Sequence, residues 1–162
     1  MNKKDDLKMY KKYRDGFLPV CNLFKTFLVE AAVPEEKITV LPTPPIPNFF
    51  SSRARDKKQG ELRVLSTGRL IKKEGFDCAM RAFTDLIKVY PCIFYHTAGE
   101  GVKRGDLSRL IEDSGCQKNV RLLGNLPLCD MPDLYSKAAL LLVPSRIGHS
   151  GNREGIARVA KE

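Results

Sequence analysis

Histidine is scarce, with two residues, and the five cysteines (Cys21, Cys78, Cys92, Cys116, Cys129) are scattered and form no C-x-x-C pair. Such a set lacks the spacing of a tetrahedral ligand cluster, so neither structural zinc nor any other metal site is expected. No stretch approaches the ~20 apolar residues of a membrane span. The start, Met-Asn-Lys-Lys-Asp-Asp, has no apolar signal core. Thiols without a secretory signal imply a reducing, cytoplasmic setting. Also missing are an internal repeat, the G-K-[ST] of a phosphate loop, and any Ser/His/Asp or Cys/His spacing that would give His96, His149 or a cysteine a catalytic role. Tyr10, Tyr13, Phe49, Phe50 and Tyr95 are not regularly interleaved with basic residues, so nucleic acid is not the expected partner.

What is present is the composition of a folded domain: 162 residues, 43% hydrophobic and 29% charged. A compact chain of that length buries roughly 70% of its unfolded surface, enough for a core without disulfides. Lys and Arg number 28 against 19 Asp and Glu, a formal +9 that calls for anionic company: phosphorylated small molecules, nucleic acid or an acidic membrane face.

The chain changes character along its length. Residues 3–14 are lysine-rich and read as an exposed helix or a frayed end. Phe17 to Val20 is a short apolar run. Asn22 then opens Leu23, Phe24, Phe27, Leu28 and Ala31 at helical spacing, and Pro34 stops them. Lys37 to Leu41 reads as a strand. Pro42, Pro44, Pro45 and Pro47, followed by polar residues to Gly60, make a linker over 42–60. Beyond it strands and helices alternate: a strand over Leu62 to Thr67, a helix over Phe76 to Val89, a strand over Cys92 to Ala98 and a helix over Gly105 to Ser114. A strand over Val120 to Leu123, a helix over Met131 to Ala138, a strand over Ala139 to Val143 and the start of a helix over Glu154 to Glu162 complete the series. That alternation predicts an α/β fold, a Rossmann-like parallel sheet with helices on both faces.

In such sheets ligands sit beyond the carboxyl ends of the strands, which directs attention to the loops Gly68 to Gly75, Gly99 to Gly105, Gly124 to Asp130 and Pro144 to Arg153. The first carries Arg69, Lys72 and Lys73 where the chain enters a helix, an arrangement suited to a diphosphate and equally readable as solvated surface charge. Gly99-Glu100-Gly101 begins like a dinucleotide fingerprint, but its third glycine is replaced by Arg104; the pair allows a tight turn or a close backbone approach. Glu154 and Glu162 fall about two helical turns apart, on one face if the segment is helical, a pattern also common on exposed helices.

Together the loops resemble the donor-binding half of the family 4 retaining glycosyltransferases, which have the GT-B fold. The matching text is Val64-Leu65-Ser66-Thr67-Gly68-Arg69-Leu70-Ile71-Lys72-Lys73-Glu74-Gly75-Phe76, Gly99-Glu100-Gly101, Val120-Arg121-Leu122-Leu123-Gly124, Leu141-Leu142-Val143-Pro144-Ser145, and Glu154-Gly155-Ile156 leading to Glu162. The resemblance extends from Phe17 onward and is greatest to bacterial exopolysaccharide transferases of the colanic-acid type. It implies that residues 1–41 are the end of a first domain, 42–60 the linker, and 61–162 an incomplete C-terminal domain of the GT-B fold that binds a nucleotide sugar of UDP or GDP type, without a separate cofactor or a metal. It also implies roles. Gly68 and Arg69 meet the donor diphosphate. Lys73 stands one residue before the family's lysine position, which here is Glu74. The backbone of Val120, Arg121 and Leu122 meets the base, Glu154 with Gly155 and Ile156 holds the donor sugar, and Glu162 holds the ribose. With the acceptor-binding domain almost wholly missing, the implied partners are the donor and a chain supplying that domain. The lysine-rich start adds a peripheral contact with an anionic membrane. An inactive remnant of a disrupted transferase gene and a basic anion-binding module are the competing readings.

Overall fold

A computed structural model of the chain describes residues 15–44 and 60–146. The chain divides into two compact units, Met1–Pro45 and Ile46–Glu162.

In the first unit, helix α1 spans Asn22–Glu30. It ends before Pro34 can stop it. The Ala32 and Val33 amides turn back to the Val29 and Leu28 carbonyls at 2.7 and 3.0 Å, with Ala32 at φ 59°. This is the left-handed helix stop in which paired amides satisfy the last free carbonyls, and Ala occupies the position glycine favours. The strand expected over Lys37 to Leu41 is not formed as such. Glu35–Lys37 is a 3-10 turn, and Phe17 and Ile38 make a single parallel bridge. The Thr39 and Leu41 amides bond to the Phe17 and Pro19 carbonyls at 3.0 and 2.9 Å, but Pro19 has no N–H to return a bond, so no ladder continues. Among the described residues of this unit, Cys21, Val33 and Ile38 are buried, together with Pro19.

The second unit contains β1 (Leu62–Thr67), α2 (Phe76–Val89), β2 (Ile93–Ala98), α3 (Arg104–Asp113), β3 (Val120–Gly124), α4 (Met131–Lys137) and β4 (Leu140–Leu141). The strands form one parallel sheet in the order β3-β2-β1-β4. β4 is shorter than the run Ala139 to Val143 implied: only Leu140 and Leu141 pair, with Val64 and Leu65, and the Ala139 and Leu142 amides add one bond at either end.

Strand alternation sorts the core. Val64, Ser66, Ile93, Tyr95 and Thr97 face α2 and α3, because parallel partners in register share a side. On that side α2 buries Phe76, Ala79, Met80 and Phe83, the i, i+3, i+4, i+7 stripe of an amphipathic helix. The Phe83 ring lies on Tyr95 with centroids 4.3 Å apart and planes 7° from parallel. The Tyr95 hydroxyl donates to Ser66 Oγ at 2.9 Å, and Ser66 Oγ donates to the Leu142 carbonyl at 2.6 Å, so the buried polar groups form a chain from β2 across β1 to the residue after β4. Thr67 points the other way, where its Oγ1 lies 3.3 Å from the Tyr135 hydroxyl of α4. Helices thus cover both faces. Right-handed crossovers require this once the chain turns back from β3 past β1 to β4.

Candidate functional site

The direction of the crossovers reverses beside β1, so the carboxyl edge around β1 is the crevice where α/β sheets of this kind take ligands. A cleft of about 480 Å³ opens there. Thr67, Gly68 and Arg69 supply the β1 side, Ala98, Gly99 and Glu100 the end of β2, and Asn125, Leu126 and Met131 the far wall.

The loop from Gly68 to Gly75 is held at both ends. Gly68 and Leu70 donate backbone bonds to Ala98 and Glu100 at 3.0 and 2.8 Å, and Lys103 donates to the Leu70 carbonyl at 2.9 Å. The two glycines of Gly99-Glu100-Gly101 serve this contact. A Cβ on Gly99, at φ 141°, would collide with the Gly68 carbonyl, and one on Gly101 would press on Leu70. The close-approach alternative is therefore the one realised, and the approaching group is the chain's own backbone.

Arg69 is exposed at the cleft and makes no ion pair among the described residues. Glu100, on the opposite wall, is paired with Arg104 at 2.6 Å across the open space left by Gly124. Lys73 is half-buried in the 3-10 turn Lys72–Glu74, with its carbonyl bonded to the Arg146 amide at 2.9 Å, and it is not part of the cleft lining. Glu74 is nearer: one carboxylate oxygen lies 4.0 Å from where a Gly68 Cβ would stand, and it accepts a bond from Ser145 Oγ at 3.4 Å.

The structure does not bring Val120, Arg121 and Leu122 to the cleft. They begin β3, whereas the cleft meets the loop after that strand's last residue, Gly124. Val120 is 1% exposed in the core, Leu122 packs against it, and Arg121 lies beside His96 on the other face. Asn125, Leu126 and Met131 line the cleft on that side; the sequence flags their loop but singles out none of them. Glu154, Gly155, Ile156 and Glu162 lie outside the described residues. All five cysteines are free thiols, Cys21 and Cys116 buried and the others exposed. Among the described residues no helix is long and apolar enough to cross a membrane.

The sequence profile described as "Glycosyl transferases group 1" matches residues 48–162. The chain belongs to this family. It is 30% identical over 155 residues to the amylovoran biosynthesis glycosyltransferase AmsK of Erwinia amylovora, covering 96% of this chain and 38% of that protein. It is 29% identical over 142 residues to the putative colanic acid biosynthesis glycosyltransferase WcaL of Escherichia coli K12, covering 88% of this chain and 35% of the relative. The chain therefore spans little more than a third of the length of these two relatives. Among solved structures it resembles HepE of Anabaena in complex with UDP (TM-score 0.71, 15% identity, 89% of this chain and 43% of that one). It also resembles the pneumococcal O-GlcNAc transferase GtfA in complex with UDP and GlcNAc (TM-score 0.63, 18% identity, 78% and 25%). The shared fold is that of GT-B glycosyltransferases, as the sequence resemblance implied.

Proposed function

We propose that these 162 residues bind the nucleotide-diphosphate sugar donor of a retaining glycosyltransferase of exopolysaccharide biosynthesis, and that transfer needs an acceptor-binding part supplied from outside them. One observation carries the reading: Arg69 stands exposed, without an ion-pair partner among the described residues, at the mouth of a cleft on the carboxyl edge of a parallel sheet. A guanidinium in that position offers a planar fork to phosphate oxygens and offsets the charge that develops on a departing nucleotide. UDP in the complexes of HepE and GtfA, which share the fold, supports a uridine nucleotide as the first ligand to try.

In this reading Gly68 gives the diphosphate close access to backbone, and Asn125 and Leu126, rather than Val120 to Leu122, border the base. Glu154, with Gly155 and Ile156, is assigned the donor sugar and Glu162 the ribose on motif spacing. The acceptor-binding part is assigned to a further stretch of protein or a companion chain. The lysine-rich residues 3–14 are assigned a peripheral contact with an anionic membrane, checked by flotation with anionic vesicles at low salt.

A second reading, a domain that has lost its ligand, is favoured by Glu74. Its carboxylate stands beside Gly68, where a second negative charge opposes a diphosphate. Calorimetric titration with UDP and GDP separates the two. Saturable binding that Arg69→Ala weakens roughly tenfold to a hundredfold, the worth of one charged hydrogen bond, supports donor binding. Glu74→Lys should tighten it. A folded chain that binds neither nucleotide, with Glu74→Lys no better, leaves the second reading standing.

A further inference from the structure

Five hydrogen bonds converge on Arg146, a residue that the sequence presents only as one cation among many in a loop. Its amide donates to the Lys73 carbonyl at 2.9 Å and its Nε to the Lys72 carbonyl at 2.8 Å. Its Nη2 reaches both carboxylate oxygens of Asp77 at 3.0 Å, in the first turn of α2. Its Nη1 lies 3.4 Å from Cys78 Sγ. Two neighbours reinforce the contact: Ser145 bonds to Glu74, and a Cβ on Gly75, which has φ 71°, would collide with the Pro144 carbonyl. The segment after β4 thus clasps the second half of the loop after β1, just as the β2 loop clasps its first half.

A single exposed ion pair contributes little to stability. A guanidinium is different when its fork spans a main-chain carbonyl, a carboxylate and a thiol at once while the residue's own amide holds a second carbonyl, because its geometry is fixed before any ligand arrives. With all three of its nitrogens engaged, Arg146 is in no position to serve as a free phosphate ligand.

We propose that Arg146 is a positioning residue that fixes the Gly68–Gly75 loop, and through it Arg69, in the arrangement that receives a nucleotide diphosphate. The inference rests on the donor-binding reading above. The two roles open to a cation here, holding the loop and attracting the phosphate, give opposite signs on one substitution. Asp77→Asn leaves the Arg146 charge in place and removes its anchor. A charge role makes UDP binding tighter in that variant, and a positioning role makes it weaker.

The experiment measures UDP affinity by calorimetry, and hydrogen exchange of the Lys72–Gly75 amides without nucleotide, in the unaltered chain, Arg146→Ala, Arg146→Lys and Asp77→Asn. The expected result is a loss of affinity of roughly tenfold in Arg146→Ala, the scale of one charge-assisted bond. A similar loss is expected in Asp77→Asn. No rescue is expected from Arg146→Lys, which keeps the charge without the fork, and exchange in the loop should be faster in all three. Unchanged affinity and exchange, rescue by lysine, or tighter binding in Asp77→Asn overturns the proposal. Should Arg146→Ala fail to fold, Asp77→Asn decides. An unaltered chain that binds no UDP removes the donor reading, and the loop-fixing role then stands or falls on the exchange rates alone.

Discussion

His96 lies on the sheet face opposite Tyr95, in register with Leu65 and Arg121. Burial, then the charges of Arg121 and Arg63, hold its pKa below the ordinary 6.5, with Glu61 pulling weakly the other way. The unfolded chain therefore binds this proton more readily than the folded one. Stability attributable to His96 is complete above pH 6.5 and drains away as the pH falls toward the depressed value. Urea unfolding at pH 7 and at pH 5 should show a lower midpoint at the acid end, and His96→Gln should reduce that difference; an unchanged difference would show that other groups carry it. Single residues were unevenly legible in the sequence. The position of Arg69 at the cleft was readable because it directly follows an apolar strand and a glycine, at the carboxyl end of that strand. Arg146 was not, since its side-chain partners stand 68, 69 and 74 positions away in the chain and nothing local distinguishes it from its neighbours.

Elements were legible where one force decided them. The apolar stripe of α2 fixes both of its ends, Phe76–Val89, because a left-handed Gly75 precedes it and the stripe runs out at Val89. β1 matches its reading, Leu62–Thr67, for a related reason: a central strand of a parallel sheet is apolar where it is buried on both sides. Edges fared worse. β4 contracts to two residues because it finds a partner on one side only among the described residues, and the run from Lys37 to Leu41 cannot ladder against a proline. In the sequence Pro34 marks the end of α1, yet the chain stops itself earlier through Ala32. A left-handed alanine costs about 1–2 kcal/mol. Against this, glycine's extra freedom when unfolded costs roughly 0.4–1 kcal/mol. Ala32→Gly should therefore stabilise the first unit by about 0.5–1 kcal/mol, read as a higher denaturation midpoint of the helical signal. A lower midpoint would mean that the left-handed stop is not maintained in solution.

At the scale of the molecule, the polar chain from Tyr95 through Ser66 to the Leu142 carbonyl joins strands that the sequence places far apart. The chain also contains no tryptophan, and its five tyrosines are Tyr10, Tyr13, Tyr90, Tyr95 and Tyr135. Burial pushes the Tyr95 phenol above its ordinary value of 10, only partly opposed by its bond to Ser66. In an alkaline absorbance titration this phenol should therefore ionise late, appearing only in step with loss of the far-ultraviolet helical signal. Tyr95→Phe should remove that late step. The stacked ring at the centre of the sheet is in effect a built-in optical gauge: without any label, it separates a chain whose sheet is intact from one that is merely soluble.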